Sequence, residues 1–136
     1  SALEGQASGL SIHFKGGQPR DDVQQWMSRA SALVVPSLWY EGQPMVCIEA
    51  LAVGCPLMVS ELGALPELVD EDRAGWTFPP GDARALSRLL AEVGSDREGP
   101  ESRAERAKAT WQEKYSPEAA LAATDRIYRE VMLGRR

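Results

Sequence analysis

The chain is poor in the residues that several functional classes depend on. Of its 136 residues only two are cysteines and one is a histidine. The spacing of Cys47 and Cys55 matches no zinc or redox motif, so we expect buried free thiols and a reducing, cytoplasmic location. A lone histidine on the polar side of a predicted strand is usually structural, and His13 is therefore given no catalytic role.

Basic charge and long apolar runs are also missing. The net charge of −5 gives no support for nucleic-acid binding, which normally requires a basic patch. No apolar run approaches the roughly 20 residues of a membrane-spanning helix, so no membrane segment is expected in this part. What remains is an ordinary globular composition, 43% hydrophobic and 26% charged, and a length that predicts one domain, residues 1–136.

Residues 32–66 read as a strand, a loop, a helix and a second strand. The apolar runs Leu33–Val35 and Leu57–Val59 predict buried strands. Between them Pro44 stands at the predicted start of an apolar helix and Gly54 just past its end, the usual punctuation of a helix. Strands alternate with helices through the chain, which predicts an α/β fold with a Rossmann-like parallel sheet flanked by helices.

Two further elements precede this unit. Alternating apolar and polar residues predict a strand at Leu10–Phe14. A helix is predicted from Val23 to Arg29, with Asp21 or Asp22 as its cap and Trp26 in its core-facing stripe.

The C-terminal half is predicted to be mainly helical. The acidic run Asp70–Asp72 is expected to be a solvated turn, and an apolar stripe on the last helix includes Leu121, Ile127 and Val131. The predicted elements are a strand at Gly75–Phe78, a helix at Ala83–Val93 capped by Asp82, a linker at 94–100, and helices at Glu101–Tyr115 and Ser116–Leu133.

Glu49 is the only charge in the nine-residue apolar helix. A buried carboxylate costs several kcal/mol unless it is hydrogen-bonded, so either a structural partner, such as an Arg or backbone amides, or a ligand with hydroxyl groups is expected. The free N–H groups of Met45 and Val46, with the helix dipole, form a site suited to phosphate. Glu49 lies five residues beyond Pro44, which is about 7 Å along the helix and roughly one ribose from a phosphate at its start. Glu41 precedes the helix in the loop.

Residues 41–49, Glu-Gly-Gln-Pro-Met-Val-Cys-Ile-Glu, resemble the Glu-x7-Glu motif of retaining GT-B glycosyltransferases of family four, the group 1 type. The likeness is specific because further stretches match in the same order and cover nearly the whole chain. These are Val35–Ser37, Ala50–Pro56, Gly63–Val69 and Gly75–Asp82. The resemblance implies the later part of a C-terminal donor-binding domain, without its first strands and without the N-terminal acceptor domain.

The resemblance also implies roles for individual residues. A nucleotide-diphosphate sugar, with UDP or GDP as the nucleotide, is the implied donor. Glu49 matches the glutamate that holds the ribose hydroxyls, and Glu41 the catalytic one that contacts the donor sugar. The amides of Met45 and Val46 match those that bind the phosphates. The remaining donor-binding residues that we expect are Ser37, Gly42 and Gln43, with Gly16 and Gly17 beside the base.

The implied reaction transfers a hexose with retention of configuration to a glycan, lipid or small-molecule acceptor, with no cofactor and no metal. We expect this chain alone to be inactive, and the parent enzyme to be peripheral at the inner membrane face. The diphosphate-neutralising Arg and Lys of the family lie upstream, and neither Lys15 nor Arg20 is assigned to them. Ala64 replaces a Gly of many relatives.

Three points stay open. Trp39 and Tyr40, in the loop before Glu41, either wall the site or pack the loop down. The chain is alternatively a non-catalytic nucleotide-binding α/β domain. It is also compatible with a degenerate scaffold in which Glu49 is only a structural acid.

Overall fold

The computed structural model describes residues 2–69, 74–95 and 99–134, which are organised around a three-stranded parallel sheet. The strands are β1 (Leu33–Val35), β2 (Leu57–Ser60) and β3 (Gly75–Phe78), and they lie side by side in chain order. Both neighbouring pairs are parallel. The predicted α/β class with a parallel sheet is confirmed. The strands predicted to begin at Leu33, Leu57 and Gly75 are confirmed as well.

Helices connect and cover the strands. A π-helical segment, Trp111–Tyr115, joins the last two of them. The α-helices are α1 (Ala2–Gln6), α2 (Arg20–Met27), α3 (Met45–Val53), α4 (Leu65–Leu68), α5 (Ala83–Ser95), α6 (Gly99–Thr110) and α7 (Pro117–Met132).

The sheet separates two apolar clusters. Successive strand residues point to opposite faces, so Leu57 and Val59 of β2 join a core with α2, α3 and α6, while Met58 joins a smaller cluster under α5. Leu51 of α3 is fully buried in the larger core. Burial of such a side chain contributes about 2–3 kcal/mol, and it fixes α3 against the sheet.

Both ends of α3 follow local sequence signals. Pro44 is the N-cap, not the first helical residue that the sequence predicts, and Gly54 ends the helix with a positive φ of 80°. A left-handed residue at this place favours glycine because it has no Cβ. The helix therefore starts at Met45, directly beyond the carboxyl end of the sheet.

The predicted strand at Leu10–Phe14 is wrong. This stretch joins neither edge of the sheet, and its backbone bonds are local, as from Leu10 N–H to the carbonyl of Ala7. Leu10, Ile12 and Phe14 are about half or more exposed. Alternation predicts a strand only where a neighbouring strand supplies the ladder, and the described residues supply none here.

The start of α2 and its buried face also differ from the prediction. The helix begins at Arg20, after a proline whose fixed φ suits a helix start. Asp21 and Asp22 therefore lie in its first turn, and neither caps it. Of the predicted core-facing stripe, Met27 is buried, as expected, whereas Trp26 is 40% exposed.

The last helix starts as predicted but does not pack as a stripe. The Ser116 hydroxyl accepts a hydrogen bond from the Ala119 N–H at 3.1 Å, which caps α7. Leu121, Ile127 and Val131 are each more than half exposed. The packing of α7 against the π-helical segment leaves this apolar side uncovered by the described residues.

The predicted linker 94–100 is shorter than expected. Its first two residues end α5 and its last two begin α6, and residues 96–98 lie outside the described part. A glycine costs a helix only about 1 kcal/mol and a proline is favourable in a first turn. The cap of α5 is confirmed, since Asp82 Oδ1 accepts from the N–H groups of Arg84 and Ala85.

Candidate functional site

Four of the predicted site residues, Ser37, Glu41, Gly42 and Gln43, lie in the loop between β1 and α3. This loop follows the carboxyl end of a parallel strand, where ligands of α/β sheets bind. Ser37, just after β1, is buried, Glu41 is half-buried, and Gly42 and Gln43 are exposed. The loop thus presents one carboxylate at the entrance to α3.

Two neutral donors hold the carboxylate of Glu41. The Ser37 hydroxyl donates to Oε1 at 3.2 Å, and the indole N–H of Trp39 donates to the same oxygen at 2.8 Å. Trp39 and Tyr40 are 66% and 81% exposed. Trp39 is therefore a hydrogen-bond partner of Glu41, the predicted catalytic residue. The sequence had left open whether Trp39 lines the site or packs the loop against the protein.

The loop after β2 closes against the loop after β1 at Gly63. A Cβ added to Gly63 would lie 2.8 Å from the carbonyl oxygen of Glu41, closer than real Cβ atoms approach. The φ of Gly63 is also positive, at 59°, a conformation that glycine adopts without a Cβ penalty. Gly63 thus sets how closely the second loop supports the backbone of Glu41.

The N-terminus of α3 offers free donors beside this loop. The first backbone hydrogen bond there runs from Cys47 N–H to the carbonyl of Pro44, at 3.0 Å. The N–H groups of Met45 and Val46 come before it and have no acceptor within the helix. Both residues are exposed, so these donors and the positive end of the helix dipole are open to an anion.

Glu49 is paired with Arg20. The guanidinium Nη2 of Arg20 lies 2.5 Å from Oε1 of Glu49. The Glu49 side chain is 24% exposed and that of Arg20 70%. The sequence required a partner for this carboxylate but did not identify Arg20, which is 29 residues away in the chain.

Gly42 and Gln43 border a cavity of about 420 Å³. Ala64, which replaces a glycine of the resembled family, also lies on its wall. This cavity adjoins the Glu41 loop and is large enough for a sugar-sized group. The other residues around it are Glu67, Leu68 and Tyr115.

Gly16 and Gly17 are exposed in the segment that leads into α2. A Cβ at either position would meet nothing within 4 Å, and the φ of Gly16 is positive, at 62°. Their surroundings are open space. Their predicted contact with a nucleotide base stays a prediction.

The two cysteines are free and buried, as predicted. Burial, and secondly the charge of Glu41, raise the pKa of Cys47 from its usual 9.0 to about 11. Burial raises the pKa of Cys55 to about 11 as well, against a smaller lowering by a backbone hydrogen bond at Leu33. Both thiols stay protonated near neutral pH, so neither is an activated nucleophile.

Residues 2–69, 74–95 and 99–134 contain neither a cluster of metal ligands nor a membrane-spanning helix. No group of three or more His, Cys, Asp or Glu side chains in these ranges could hold a metal ion. None of the helices described there is both long and apolar enough to cross a bilayer. Asp70-Glu71-Asp72 has the spacing of an Asp-x-Asp sequence, but it lies outside the described residues, as does the turn predicted there.

The chain matches the family model "Glycosyl transferases group 1" over residues 5–110. Among curated proteins it is 36% identical over 129 residues to D-inositol 3-phosphate glycosyltransferase of Streptomyces bingchenggensis. That alignment covers 92% of this chain and 27% of the relative. It is 34% identical over 87 residues to the amylovoran biosynthesis glycosyltransferase AmsK of Erwinia amylovora, covering 60% of this chain and 21% of the relative.

Solved structures give the same picture of the fold. Sucrose-phosphate synthase of Thermosynechococcus elongatus superposes with a TM-score of 0.80 and 27% identity, over 97% of this chain and 34% of that one. The C-terminal domain of a group 1 glycosyl transferase of Francisella tularensis superposes with a TM-score of 0.70 and 23% identity, over 85% of this chain and 62% of that one. The chain spans only a fifth to a third of the full-length curated relatives that it matches.

Proposed function

Because the chain belongs to the glycosyl transferases group 1 family, with the α/β fold of GT-B enzymes, we propose that it is the donor-binding part of a sugar transferase. The donor is a nucleotide-diphosphate sugar. It lies across the N-terminus of α3, with the ribose at Glu49, the phosphates at Met45 and Val46, and the sugar at Glu41.

One observation carries this proposal. Glu41 and Glu49 stand before and along the same helix, and the free amides of Met45 and Val46 lie between them. Carboxylates accept hydrogen bonds from sugar and ribose hydroxyls, while helix N-terminal amides donate to phosphate. The order acid, amides, acid therefore matches the order sugar, diphosphate, ribose. Ser37 orients Glu41 at one end, and the cavity beside Gly42 leaves room for the sugar.

The proposed reaction breaks the bond between the anomeric carbon of a hexose and the diphosphate and transfers the hexose to an acceptor hydroxyl with retention of configuration. Glu41 contacts the donor sugar in this step, and no metal or other cofactor takes part. The relatives' names refer to D-inositol 3-phosphate, amylovoran biosynthesis and sucrose phosphate. These names differ from one another and do not single out a glycan, a lipid or a small molecule as the acceptor.

The acceptor is assigned to an N-terminal domain of the whole protein, and this chain alone is assigned no turnover. A cytoplasmic parent enzyme, peripheral at the inner membrane face, is part of the same proposal, as is a UDP or GDP donor. Hydrolysis or transfer from any sugar nucleotide by the purified 136-residue chain would contradict the inactivity of the isolated part.

The ion pair of Glu49 favours a second candidate. A structural acid needs a cation, and Arg20 supplies one, so a degenerate scaffold without nucleotide binding is also consistent with the contacts. A non-catalytic nucleotide-binding domain is the third reading. In the scaffold Glu49→Gln changes only stability. In the nucleotide-binding domain, nucleotide binds as well without the sugar, and Glu41→Ala has no effect.

Ligand-observed NMR with UDP, GDP, ADP and their common sugar conjugates tests these readings together. The proposal predicts selective binding by the wild-type chain that is lost in Glu49→Ala. Glu105→Ala, which removes an exposed carboxylate from α6, serves as the matched control and keeps the binding. Equal binding by both variants contradicts the donor site, and a preference for one base identifies the nucleotide.

A further inference from the structure

The carboxylate of Glu49 is engaged on one side only. Arg20 contacts Oε1. No residue of the described part of the chain forms a hydrogen bond with Oε2, and this oxygen is not sealed from solvent. A carboxylate has about four lone-pair positions. A bound cation on one oxygen therefore leaves acceptor capacity on the other.

Arg20 is fixed by the fold close to this carboxylate. It is the first residue of α2, and α2 packs against α3 through the larger core, where Met27 and Leu51 are buried. The backbone of Arg20 is thereby held beside Glu49, although its side chain is largely exposed. The guanidinium therefore favours one orientation of the Glu49 carboxylate before any ligand binds.

We propose that Arg20 is a positioning residue for donor recognition, which holds Glu49 so that Oε2 is presented to the ribose hydroxyls of the nucleotide. This inference rests on the proposed function. It assigns to Arg20 no contact with the donor and no role at the diphosphate. The consequence is specificity, because a preoriented hydrogen-bond acceptor binds a ligand with the ribose 2′-hydroxyl more tightly than one without it.

Two simpler roles make different predictions. A purely structural ion pair, as exposed as this one, contributes little to stability, and its removal would leave ligand selectivity unchanged. A lock, in which Arg20 competes with the ribose for Glu49, would make binding tighter when Arg20 is removed. A positioning role predicts that removal of Arg20 weakens binding of the ribonucleotide but not of its 2′-deoxy analogue.

The test measures dissociation constants of UDP, GDP and their 2′-deoxy analogues by NMR titration of the 136-residue chain. For the preferred base, Arg20→Gln should weaken ribonucleotide binding up to about fivefold, the most that an exposed ion pair supplies, and leave the 2′-deoxy analogue within about twofold. Arg20→Lys keeps the charge without the planar fork and should lose about threefold. Arg29→Gln makes the same charge change just beyond the other end of α2 and should have no effect.

The outcomes separate the two levels of the proposal. Wild-type binding without any preference for the 2′-hydroxyl, or no binding, contradicts the proposed function and this inference with it. A wild-type preference that survives in both Arg20 variants, or that increases, overturns the inference alone. An amide spectrum of each variant verifies the fold, and the lysine variant provides the comparison if the glutamine variant is unstable.

Discussion

Glu41 and Glu49 are held by partners of different charge. Ser37 and Trp39 are neutral donors to Glu41, whereas the partner of Glu49 is the cationic Arg20. The charge of Glu41 is therefore not compensated by the contacts that orient it, and it also reaches the thiol of Cys47. A carboxylate that is oriented but uncompensated suits a role near positive charge that develops on a sugar in a transition state.

Trp39→Phe tests how Glu41 is oriented. The phenyl ring keeps the aromatic surface but removes the N–H donor at 2.8 Å from Oε1. A hydrogen bond to a charged group contributes about 1.5–3 kcal/mol, so the gain in affinity from the sugar of a sugar nucleotide over the bare nucleotide should fall about tenfold. Titration with the sugar nucleotide and with the bare nucleotide measures this gain, with Trp26→Phe as the control. An unchanged gain would remove Trp39 from the site.

The buried thiols predict a loss of stability at high pH. Their pKa values rise from 9.0 to about 11 in the folded chain. Below pH 9 the thiols are protonated in both states, and their contribution is complete. Between about pH 9 and 11 the unfolded thiols ionise while the folded ones do not, so the free energy of unfolding falls. Urea unfolding from pH 7 to 10.5 measures this loss.

The control for the thiol prediction is a chain with both Cys47→Ala and Cys55→Ala. It lacks the two titrating groups, so its free energy of unfolding should fall less steeply above pH 9 than that of the parent. Equal slopes for the two proteins would show that the loss arises from other groups.

At the scale of the element, Gly54→Ala tests the end of α3. Gly54 has a φ of 80°, and an added Cβ would lie 2.7 Å from the Cε of Lys108, whose flexible chain can shift, and 3.3 Å from the carbonyl of Ala104. The strained conformation should lower the free energy of unfolding by about 1–2 kcal/mol. Gly94→Ala, in open space within α5, should instead raise it by about 0.5–1 kcal/mol.

Denaturant unfolding of the two glycine variants provides the measurement. A loss in both variants would mean that alanine is unfavourable for reasons other than the left-handed conformation. A gain in both would mean that α3 does not depend on its cap.

Elements with a local signal could be predicted from the sequence. The bounds of α3 follow from Pro44 and Gly54, and the sheet follows from short apolar runs. The predictions that failed depended on a distant partner. Leu10–Phe14 alternates correctly but has no neighbouring strand in the described residues. Trp26 and the stripe of α7 have helical spacing but little to pack against. The spacing of apolar residues predicts which side chains share a face of a helix or strand, but not which other element packs against that face.

The same distinction holds for the candidate site. Residues 41–49 are continuous in sequence, so the two glutamates and the helix start between them could be predicted together. Arg20 and Gly63 could not, because they reach the site through the packing of α2 on α3 and of one loop on another. An arginine close to an acid in space has no signal in a single sequence.

At the scale of the whole molecule, charge limits what this chain can bind. Its net charge is −5, and the proposed donor is also an anion, so long-range electrostatics oppose association. Among the described residues that the proposal assigns to the phosphates, Met45 and Val46 at the N-terminus of α3 supply the local attraction through their N–H groups. We therefore expect weak binding by this chain.

The most direct test of the donor site is an amide NMR titration of the isotope-labelled chain with UDP-glucose and GDP-mannose. The account predicts that one ligand shifts the N–H resonances of Met45 and Val46 most strongly, with smaller shifts along the Glu41 loop and none in α7. Shifts concentrated away from the start of α3, or the same shifts in Glu49→Ala at the same ligand concentrations, would contradict it.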